Sequence, residues 1–230
     1  MSRAGPPRRF RFIAVLALAA ACTPTYARWT NGATDPAAPA VVFLGDSLTA
    51  GQGLSSEEAY PALIAARMRA AGIQLPVVNA GVSGDTTGAG LSRLGKLLDA
   101  PVAVLVLALG ANDGLVRAPL ESIRGNLSQA VERAQAAGAR VVMVGIKLPL
   151  SFDPSYRAGF EQVFAGLARQ YRLAFVPFLL EGVGGVPRLN QADGIHPTAE
   201  GQRIMASVVW PTLEPLVREL AQTQRASSSH

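Results

Sequence analysis

Short apolar runs alternate along the chain with longer segments of mixed polarity. Five of these runs are nearly continuous and rich in valine, which is typical of strands that are covered on both faces of a sheet. They are Val41–Leu44, Pro76–Val78, Val102–Leu109, Val141–Val144 and Ala174–Val176. The pattern therefore predicts five strands in one buried sheet.

The segments between these runs predict amphipathic helices. Apolar residues recur at steps of three and four over residues 120–134 and 160–171. Gly72 and Gly138 each close such a segment, as glycines do at the ends of helices. A last helical pattern runs from Pro197 towards Leu220, and Pro211 within it predicts a kink or a break.

The alternation of strands and helices predicts the fold class. It indicates an α/β protein with a parallel sheet and helices on both faces. Five strands favour a flavodoxin-like, three-layer α/β/α sandwich. In open sheets of this kind, binding sites form beyond the carboxyl ends of the strands.

The first 27 residues have the layout of a signal peptide for export. Four arginines precede an apolar run from Phe12 to Ala21. That run is too short to span a membrane, which takes ~20 residues. Cleavage after Ala27 or Ala21 would give a periplasmic or secreted protein. Alternatively, residues 18–22 form a lipoprotein signal, with cleavage before Cys22 and membrane attachment through a lipid on it.

Removal of this segment changes what the charge implies. The full chain has 21 Lys and Arg against 16 Asp and Glu, a net charge of +5. Without the four arginines of residues 1–27, 17 basic and 16 acidic residues remain, a net charge of +1. This balance does not favour nucleic acid as a partner, because that needs a basic patch on the folded domain. Cys22 is the only cysteine, so the mature domain would have no disulfide.

The rest of the chain divides into three parts. Residues 28–39 are polar, contain proline and have no periodicity, which is typical of a linker. Residues 40–222 hold the alternating pattern and would form one domain. Residues 223–230 predict a disordered tail. No feature indicates an oligomeric state.

Polar residues stand at the edge of the sheet where the predicted strands end. Ser47 follows the first strand, Gly84 the second and Asn112 the third, while Asp193 and His196 precede the last helix. Each could simply cap a helix or form a turn. Their common edge and their order along the chain favour one shared reaction.

These residues together predict acyl transfer. A serine hydroxyl such as that of Ser47 needs a base, and His196 is the only histidine apart from the last residue. Asp193 would hold the other ring nitrogen and offset the charge that forms. The backbone N–H groups of Ser47 and Gly84 and the side-chain amide of Asn112 are the predicted donors to the oxyanion.

The same segments resemble the GDSL, or SGNH, hydrolase family. FLGDSLTAG, VVNAGVSGDTT, LGANDGL and DGIHP are similar to motifs of its small bacterial thioesterase I, arylesterase and lysophospholipase-like group, over about residues 40–217. The resemblance implies an SGNH hydrolase fold. It makes Ser47 the nucleophile, His196 the base, Asp193 its orienting partner, and Gly84 and Asn112 oxyanion donors.

Other positions in these motifs carry structural expectations. Asp46, Asp85 and Asp113 would mostly hold loops. Thr49 stands where the family commonly has a serine, and Gly81 stands at a position that varies. Neither departure is expected to affect the chemistry.

The expected activity is hydrolysis of carboxylic esters and thioesters, including aryl esters and lysophospholipids, through an acyl-enzyme on Ser47. Short connections predict an open cleft, and its acyl groove would be lined by Leu115, Val116, Pro149, Phe152 and Ile195. No cofactor is expected, and one internal histidine leaves too few ligands for a metal. Two alternatives remain: an exported carbohydrate deacetylase with the same machinery, and a non-catalytic, flavodoxin-like module that binds an acyl or glycan ligand.

Overall fold

A five-stranded parallel sheet forms the centre of the computed structural model, which describes residues 38–228. In chain order the strands are β1 (Ala40–Gly45), β2 (Val77–Gly81), β3 (Val102–Ala108), β4 (Arg140–Val144) and β5 (Ala174–Val176). Their order in space is β2-β1-β3-β4-β5, and all neighbours are parallel. The predicted sheet is confirmed. The predicted signal peptide, Cys22 and most of the linker lie outside the described residues.

Seven α-helices surround the sheet within this part of the chain. They are α1 (Ser47–Ala50), α2 (Tyr60–Ala70), α3 (Thr87–Leu98), α4 (Ala111–Leu115), α5 (Leu120–Ala136), α6 (Pro154–Tyr171) and α7 (Ala199–Ser228). Two short 3₁₀ helices lie at Ser56–Glu58 and Pro187–Leu189. None of the described helices is both long enough and apolar enough to cross a membrane.

The order of the strands places a crevice at the carboxyl edge of the sheet. The chain moves from β1 outwards to β2 and then back across β1 to β3. Right-handed crossovers put the helices of these two movements on opposite faces. Accordingly α2 packs against α7 on one face, whereas on the other face α5 packs against both α3 and α6. The loops after β1 and β3 therefore diverge, which is where ligands bind in doubly wound sheets.

The hydrophobic core explains why the central strands are apolar throughout. Every residue of β1 and β3 is buried, because helices cover both faces of the sheet. The edge strand β2 is only partly buried, and it runs three residues beyond the predicted end at Val78. Its extension carries an exposed polar side chain, Asn79, and ends where Gly81 pairs with Gly45 of β1.

The C-terminal helix differs from the prediction in two ways. It runs as one helix through Pro211 and Pro215, so a break at Pro211 is wrong, whereas the kink stays a prediction. Its buried face, which includes Leu213, compensates for the hydrogen bonds that the prolines remove. The helix also continues to Ser228, so residues 223–228 are helical and not a disordered tail. Arg225 ties this end to the rest of the fold by donating to the Gly72 carbonyl at 2.7 Å.

Candidate active site

Ser47 lies at the first position of α1, directly beyond the end of β1. The preceding Asp46 caps the helix, because one of its carboxylate oxygens accepts from the Leu48 N–H at 3.0 Å. Gly45 has no room for a side chain: a Cβ there would lie 2.0 Å from Thr49 Oγ1. The sharp strand-to-helix turn that presents the Ser47 hydroxyl thus depends on a glycine followed by a capping residue.

His196 and Asp193 lie next to this serine. His196 Nε2 is 3.0 Å from Ser47 Oγ, across 149 residues of sequence. His196 Nδ1 is 2.6 Å from Asp193 Oδ2. The second Asp193 oxygen accepts the backbone N–H groups of Ile195 and His196 at 2.9 and 3.0 Å. The three side chains predicted to act together therefore form one continuous hydrogen-bonded chain.

The environment of Asp193 favours its charged form. The hydrogen bond from the His196 ring, followed by those from the two backbone N–H groups, holds the pKa of Asp193 well below its usual range. The carboxylate is partly exposed, whereas the His196 side chain is mostly buried. An ionised carboxylate on Nδ1 fixes the tautomer in which Nε2 is free to accept a proton from the serine.

The three predicted oxyanion donors come from the three connections that follow β1, β2 and β3. The backbone N–H groups of Ser47 and Gly84 donate to no acceptor within residues 38–228. Gly84 occupies the third position of a turn closed by the Asp85 N–H and the Val82 carbonyl, with φ of +85°, a conformation that favours glycine. The amide of Asn112 donates to the Asp85 carbonyl at 2.8 Å. This bond uses one of its two N–H groups and leaves the other available.

Asp46, Asp85 and Asp113 hold loops, as expected. Asp85 pairs with Arg93 at 2.6 Å. Asp113 accepts the backbone N–H and the hydroxyl of Thr87 at 2.8 and 2.7 Å, which joins the start of α3 to the residue after Asn112. These bonds fix the loops that carry the candidate donors.

Asp46 is also the most unusual carboxyl group of the site. Its side chain is buried, and its Oδ2 atom has no hydrogen-bond partner among the described residues. Burial raises the pKa of Asp46 to about 6, and the bond from the Leu48 N–H opposes this rise only in part. A buried carboxyl group with an unpaired oxygen lowers the free energy of unfolding.

Two glutamines that the sequence did not single out join the serine segment to the histidine segment. Gln202, on α7, accepts the Tyr60 N–H at 2.8 Å and donates to the Leu48 carbonyl at 3.2 Å. Gln191 donates to the carbonyls of Gln52 and Pro197 at 2.7 and 3.0 Å. Their partners are mostly distant in sequence, so no local motif marks them.

Gly81 has a structural role that the sequence analysis missed. A Cβ at this position would lie 2.3 Å from the Ala50 backbone nitrogen and 2.8 Å from its Cα. The end of β2 therefore packs directly against the backbone of α1. The helix that carries Ser47 can approach the sheet this closely only because Gly81 has no side chain.

The predicted acyl-groove residues lie in connections at the same edge of the sheet, Leu115 at the end of α4. Leu115, Val116 and Ile195 are 43%, 74% and 51% exposed. Pro149 is exposed too, whereas Phe152 is half-buried beneath the Arg117 guanidinium, 5.2 Å from the ring centre.

Two further large apolar side chains are exposed in the described part of the chain, and the sequence analysis did not name them. Leu150 follows β4 and Val82 follows β2. With Leu115, Val116 and Ile195, they complete the set of exposed large apolar side chains within residues 38–228. All five belong to connections at the carboxyl edge. We call these five residues the apolar rim.

Within residues 38–228, no three His, Cys, Asp or Glu side chains are grouped so that they could hold a metal ion. Fold and site together define a class of protein. It is a serine hydrolase with a three-layer α/β/α sandwich fold, whose serine, histidine and aspartate lie at the carboxyl edge of the sheet.

Comparison with known proteins agrees with this class. The model of the GDSL-like lipase/acylhydrolase family matches residues 43–204. Esterase TesA of Pseudomonas aeruginosa is 42% identical over 182 residues, which cover 79% of this chain and 90% of that protein. Thioesterase 1/protease 1/lysophospholipase L1 of Escherichia coli K12 is 37% identical over 183 residues, which cover 79% and 86%.

Solved structures give the same result. The crystal structure of TesA superposes with a TM-score of 0.75 at 42% identity, over 77% of this chain and 99% of that one. AlinE4, an SGNH-hydrolase family esterase, superposes with a TM-score of 0.65 at 35% identity, over 77% and 96%. The chain belongs to the GDSL-like lipase/acylhydrolase family. The predicted family, fold and ester-hydrolysing activity are therefore confirmed.

Proposed function

We infer that the protein hydrolyses carboxylic esters and thioesters through an acyl-enzyme on Ser47. The observation that carries this proposal is the hydrogen-bonded chain from Ser47 Oγ through His196 to Asp193, with distances of 3.0 and 2.6 Å. A nucleophile within reach of a base, which is itself oriented by a third group, is the arrangement that acyl transfer needs.

Acylation follows from this geometry. As Ser47 Oγ attacks the carbonyl carbon of the substrate, His196 Nε2 takes the hydroxyl proton. The imidazolium that forms is stabilised by Asp193, which already accepts the Nδ1–H. The carbonyl oxygen becomes an oxyanion, and the N–H groups of Ser47, Gly84 and Asn112 are the donors that we propose for it. Collapse of the tetrahedral intermediate expels the alcohol or thiol, which receives the proton from Nε2.

Deacylation uses the same groups in the same order. A water molecule takes the place of the leaving group, and His196 Nε2 removes its proton as it attacks the acyl carbon on Ser47. The same three donors stabilise the second oxyanion. The Ser47 hydroxyl is restored when His196 returns the proton to Oγ and the carboxylic acid leaves.

The apolar rim supports substrates with an acyl or aryl group. Exposed large apolar side chains at the edge of a sheet that also carries the reactive groups favour a binding surface for an apolar ligand. The relatives bear the names of an esterase, an arylesterase and a thioesterase/lysophospholipase. We expect activity on aryl esters and acyl thioesters, and on lysophospholipids as the largest substrates of this set.

A fluorophosphonate probe tests the nucleophile. Wild-type protein should be labelled once, at Ser47, and Ser47→Ala should abolish both labelling and ester hydrolysis. Ser83→Ala is the matched control, since Ser83 is an exposed serine in the loop after β2 with no histidine partner among the described residues. A folded protein that is never labelled would overturn the proposal and favour a non-catalytic binding module.

A substrate panel tests the substrate class. Rates are compared for aryl acetates, acyl thioesters of increasing chain length, lysophospholipids and acetylated sugars. Val116→Trp should lower kcat/KM for long acyl chains more than for acetate, because Val116 is 74% exposed and a larger side chain there would occupy the proposed groove. Equal effects on short and long chains would remove Val116 from the groove. A preference for acetylated sugars would instead make the protein a carbohydrate deacetylase.

We also infer that the protein is exported, as a periplasmic or secreted enzyme or as a lipoprotein. The arginines and the apolar run within residues 1–27 support this proposal. The intact mass of the mature protein from bacterial cells distinguishes cleavage after Ala21 or Ala27 from a lipidated Cys22. A mature chain that retains residue 1 and stays in the cytoplasm would contradict export.

A further inference from the structure

A single arginine connects the three loops that carry the candidate oxyanion donors. Arg93 lies on α3, and its side chain is 13% exposed. Its Nε donates to Asp85 Oδ2 at 2.6 Å, and its Nη2 donates to the Gly45 carbonyl at 3.0 Å. The guanidinium thus holds the last residue of β1, two residues before Ser47, and a residue of the loop after β2 at the same time.

The third loop is reached through Asp85. While the Asp85 carboxylate accepts from Arg93, its backbone carbonyl accepts the Asn112 side-chain amide at 2.8 Å. The same Gly45 carbonyl also accepts the Val82 N–H at 3.0 Å, which closes the network between the first two loops. Every residue that this network joins to Arg93 is therefore within two residues of a candidate donor, or is one.

The spacing along the chain makes this network a positioning device. Gly45 is two residues before Ser47, and Asp85 directly follows Gly84. The amide of Asn112 is oriented by the bond that occupies one of its two N–H groups. An oxyanion site works only if its donors are fixed before charge develops. A planar guanidinium suits this task because its donors point in fixed and different directions.

We propose that Arg93 is a positioning residue that aligns the backbone N–H groups of Ser47 and Gly84 and the amide of Asn112 on the oxyanion. The inference rests on the proposed function. It predicts that loss of Arg93 weakens stabilisation of the tetrahedral intermediate without weakening binding of the substrate. Displacement of donors by about 1 Å is enough to cost on the order of 10²-fold in rate.

The test compares Arg93→Gln and Arg93→Lys with wild type. The measurements are kcat and KM for an aryl ester and the inhibition constant of an alkyl trifluoromethyl ketone, which forms a tetrahedral oxyanion on a serine. Rates are expressed per active site, counted by complete titration with a fluorophosphonate, so that a smaller folded fraction does not count as a slower enzyme. Arg140→Gln is the matched control, because Arg140 makes a two-bond pair with Glu219 at the start of β4, the opposite edge of the sheet.

Arg93→Gln should lower kcat per site by about 10- to 100-fold, leave KM within about twofold, and weaken the ketone by the same factor as kcat. The kcat and ketone affinity of Arg93→Lys should lie between those of wild type and Arg93→Gln. An ammonium group can pair with Asp85, but it lacks the fixed donor directions of the guanidinium. It also serves as the test variant if Arg93→Gln does not fold. Arg140→Gln should match wild type.

Two results would overturn the inference. One is a variant whose kcat per site and ketone affinity equal those of wild type. The other is a loss of kcat with unchanged ketone affinity, which would place Arg93 outside oxyanion stabilisation. A wild-type protein that neither reacts with the fluorophosphonate nor binds the ketone would instead refute the proposed function itself, so the two failures are distinguishable.

Discussion

Replacement of Asp46 by asparagine should change how the stability of the protein depends on pH. The carboxyl group is 1% exposed and its Oδ2 has no partner within the described residues. Burial raises its pKa from 3.8 to about 6, with a smaller opposing effect of the Leu48 N–H. In the unfolded chain the same group is solvated and titrates near 3.8. The native state therefore keeps this proton to a higher pH than the unfolded state does.

The sign and the size of the effect follow from these two pKa values. Between about pH 4 and about pH 6 the native state binds more protons at Asp46, so the free energy of unfolding falls as the pH rises through this window. A difference of about 2 pH units at ~1.4 kcal/mol per unit corresponds to about 3 kcal/mol, which is present below the window and lost above it. Asparagine keeps the oxygen that caps α1 but carries no charge, so the variant lacks this loss.

Urea unfolding of wild type and Asp46→Asn at several pH values measures the difference directly. The stability of the variant relative to wild type should rise by about 3 kcal/mol from about pH 4 to about pH 7.5. Asp153→Asn is the matched control, because Asp153 caps α6 in the same way but is exposed, and bonds from the Ser155 hydroxyl and the Tyr156 N–H lower its pKa.

For Asp153 the pH dependence has the opposite sign. Its contribution to stability is present above the pKa of the unfolded chain and lost as the pH falls, so Asp153→Asn should lose stability relative to wild type towards neutral pH. If the difference between Asp46→Asn and wild type stays constant across the range, Asp46 is as well solvated in the native state as in the unfolded chain. That result would refute the argument from burial.

Three further substitutions test the site and its supports. Asn112→Ala should lower kcat by about 10²–10³-fold in an aryl-esterase assay, and a wild-type rate would remove it from the oxyanion role. Gly81→Ala should lower activity because its Cβ would collide with the backbone of α1. Gly95→Ala, with open space around it, should leave kcat unchanged. Wild-type activity in Gly81→Ala would show that α1 can move without loss of catalysis. Gln202→Ala should lower the free energy of unfolding by about 2–4 kcal/mol, since two buried backbone groups lose their partner. The surface variant Gln170→Ala should change it by less than ~0.5 kcal/mol, and an equally small effect at Gln202 would contradict the buried bridge.

The central strands were predictable from the sequence because both of their faces are buried, so that nearly every residue in them is apolar. β1 and β3 are apolar throughout; β1 is one residue longer than predicted at each end, and β3 ends one residue earlier than predicted. The edge strand β2 was predicted too short, because its outer half carries Asn79 and its pairing depends on a neighbour that the local sequence does not reveal. The same reason explains α7, whose end is held by a contact between Arg225 and Gly72, 153 residues apart.

In the candidate site, too, the features that depend on local sequence were predicted and those that depend on distant contacts were not. Asp193 and His196 are three residues apart, and their turn is closed by local bonds, so their association was visible in the sequence. Ser47 and Asn112 were found because each follows a strand. Gln202 and Arg93 were not found, because a glutamine or an arginine within a helical pattern indicates only a surface position. Gln191 was not found because its contact with Gln52 is distant in sequence.

The histidine and the serine of the site are held in place by different kinds of contact. The Asp193–His196 pair is a self-contained turn, held by two backbone N–H groups and one ring nitrogen within four residues. The position of Ser47 instead depends on a cap at Asp46, on the missing side chains of Gly45 and Gly81 and on a bridge from α7. Because the serine side of the 3.0 Å contact rests on long-range packing and the histidine side on a local turn, perturbations of the core should act on catalysis mainly through the position of the nucleophile.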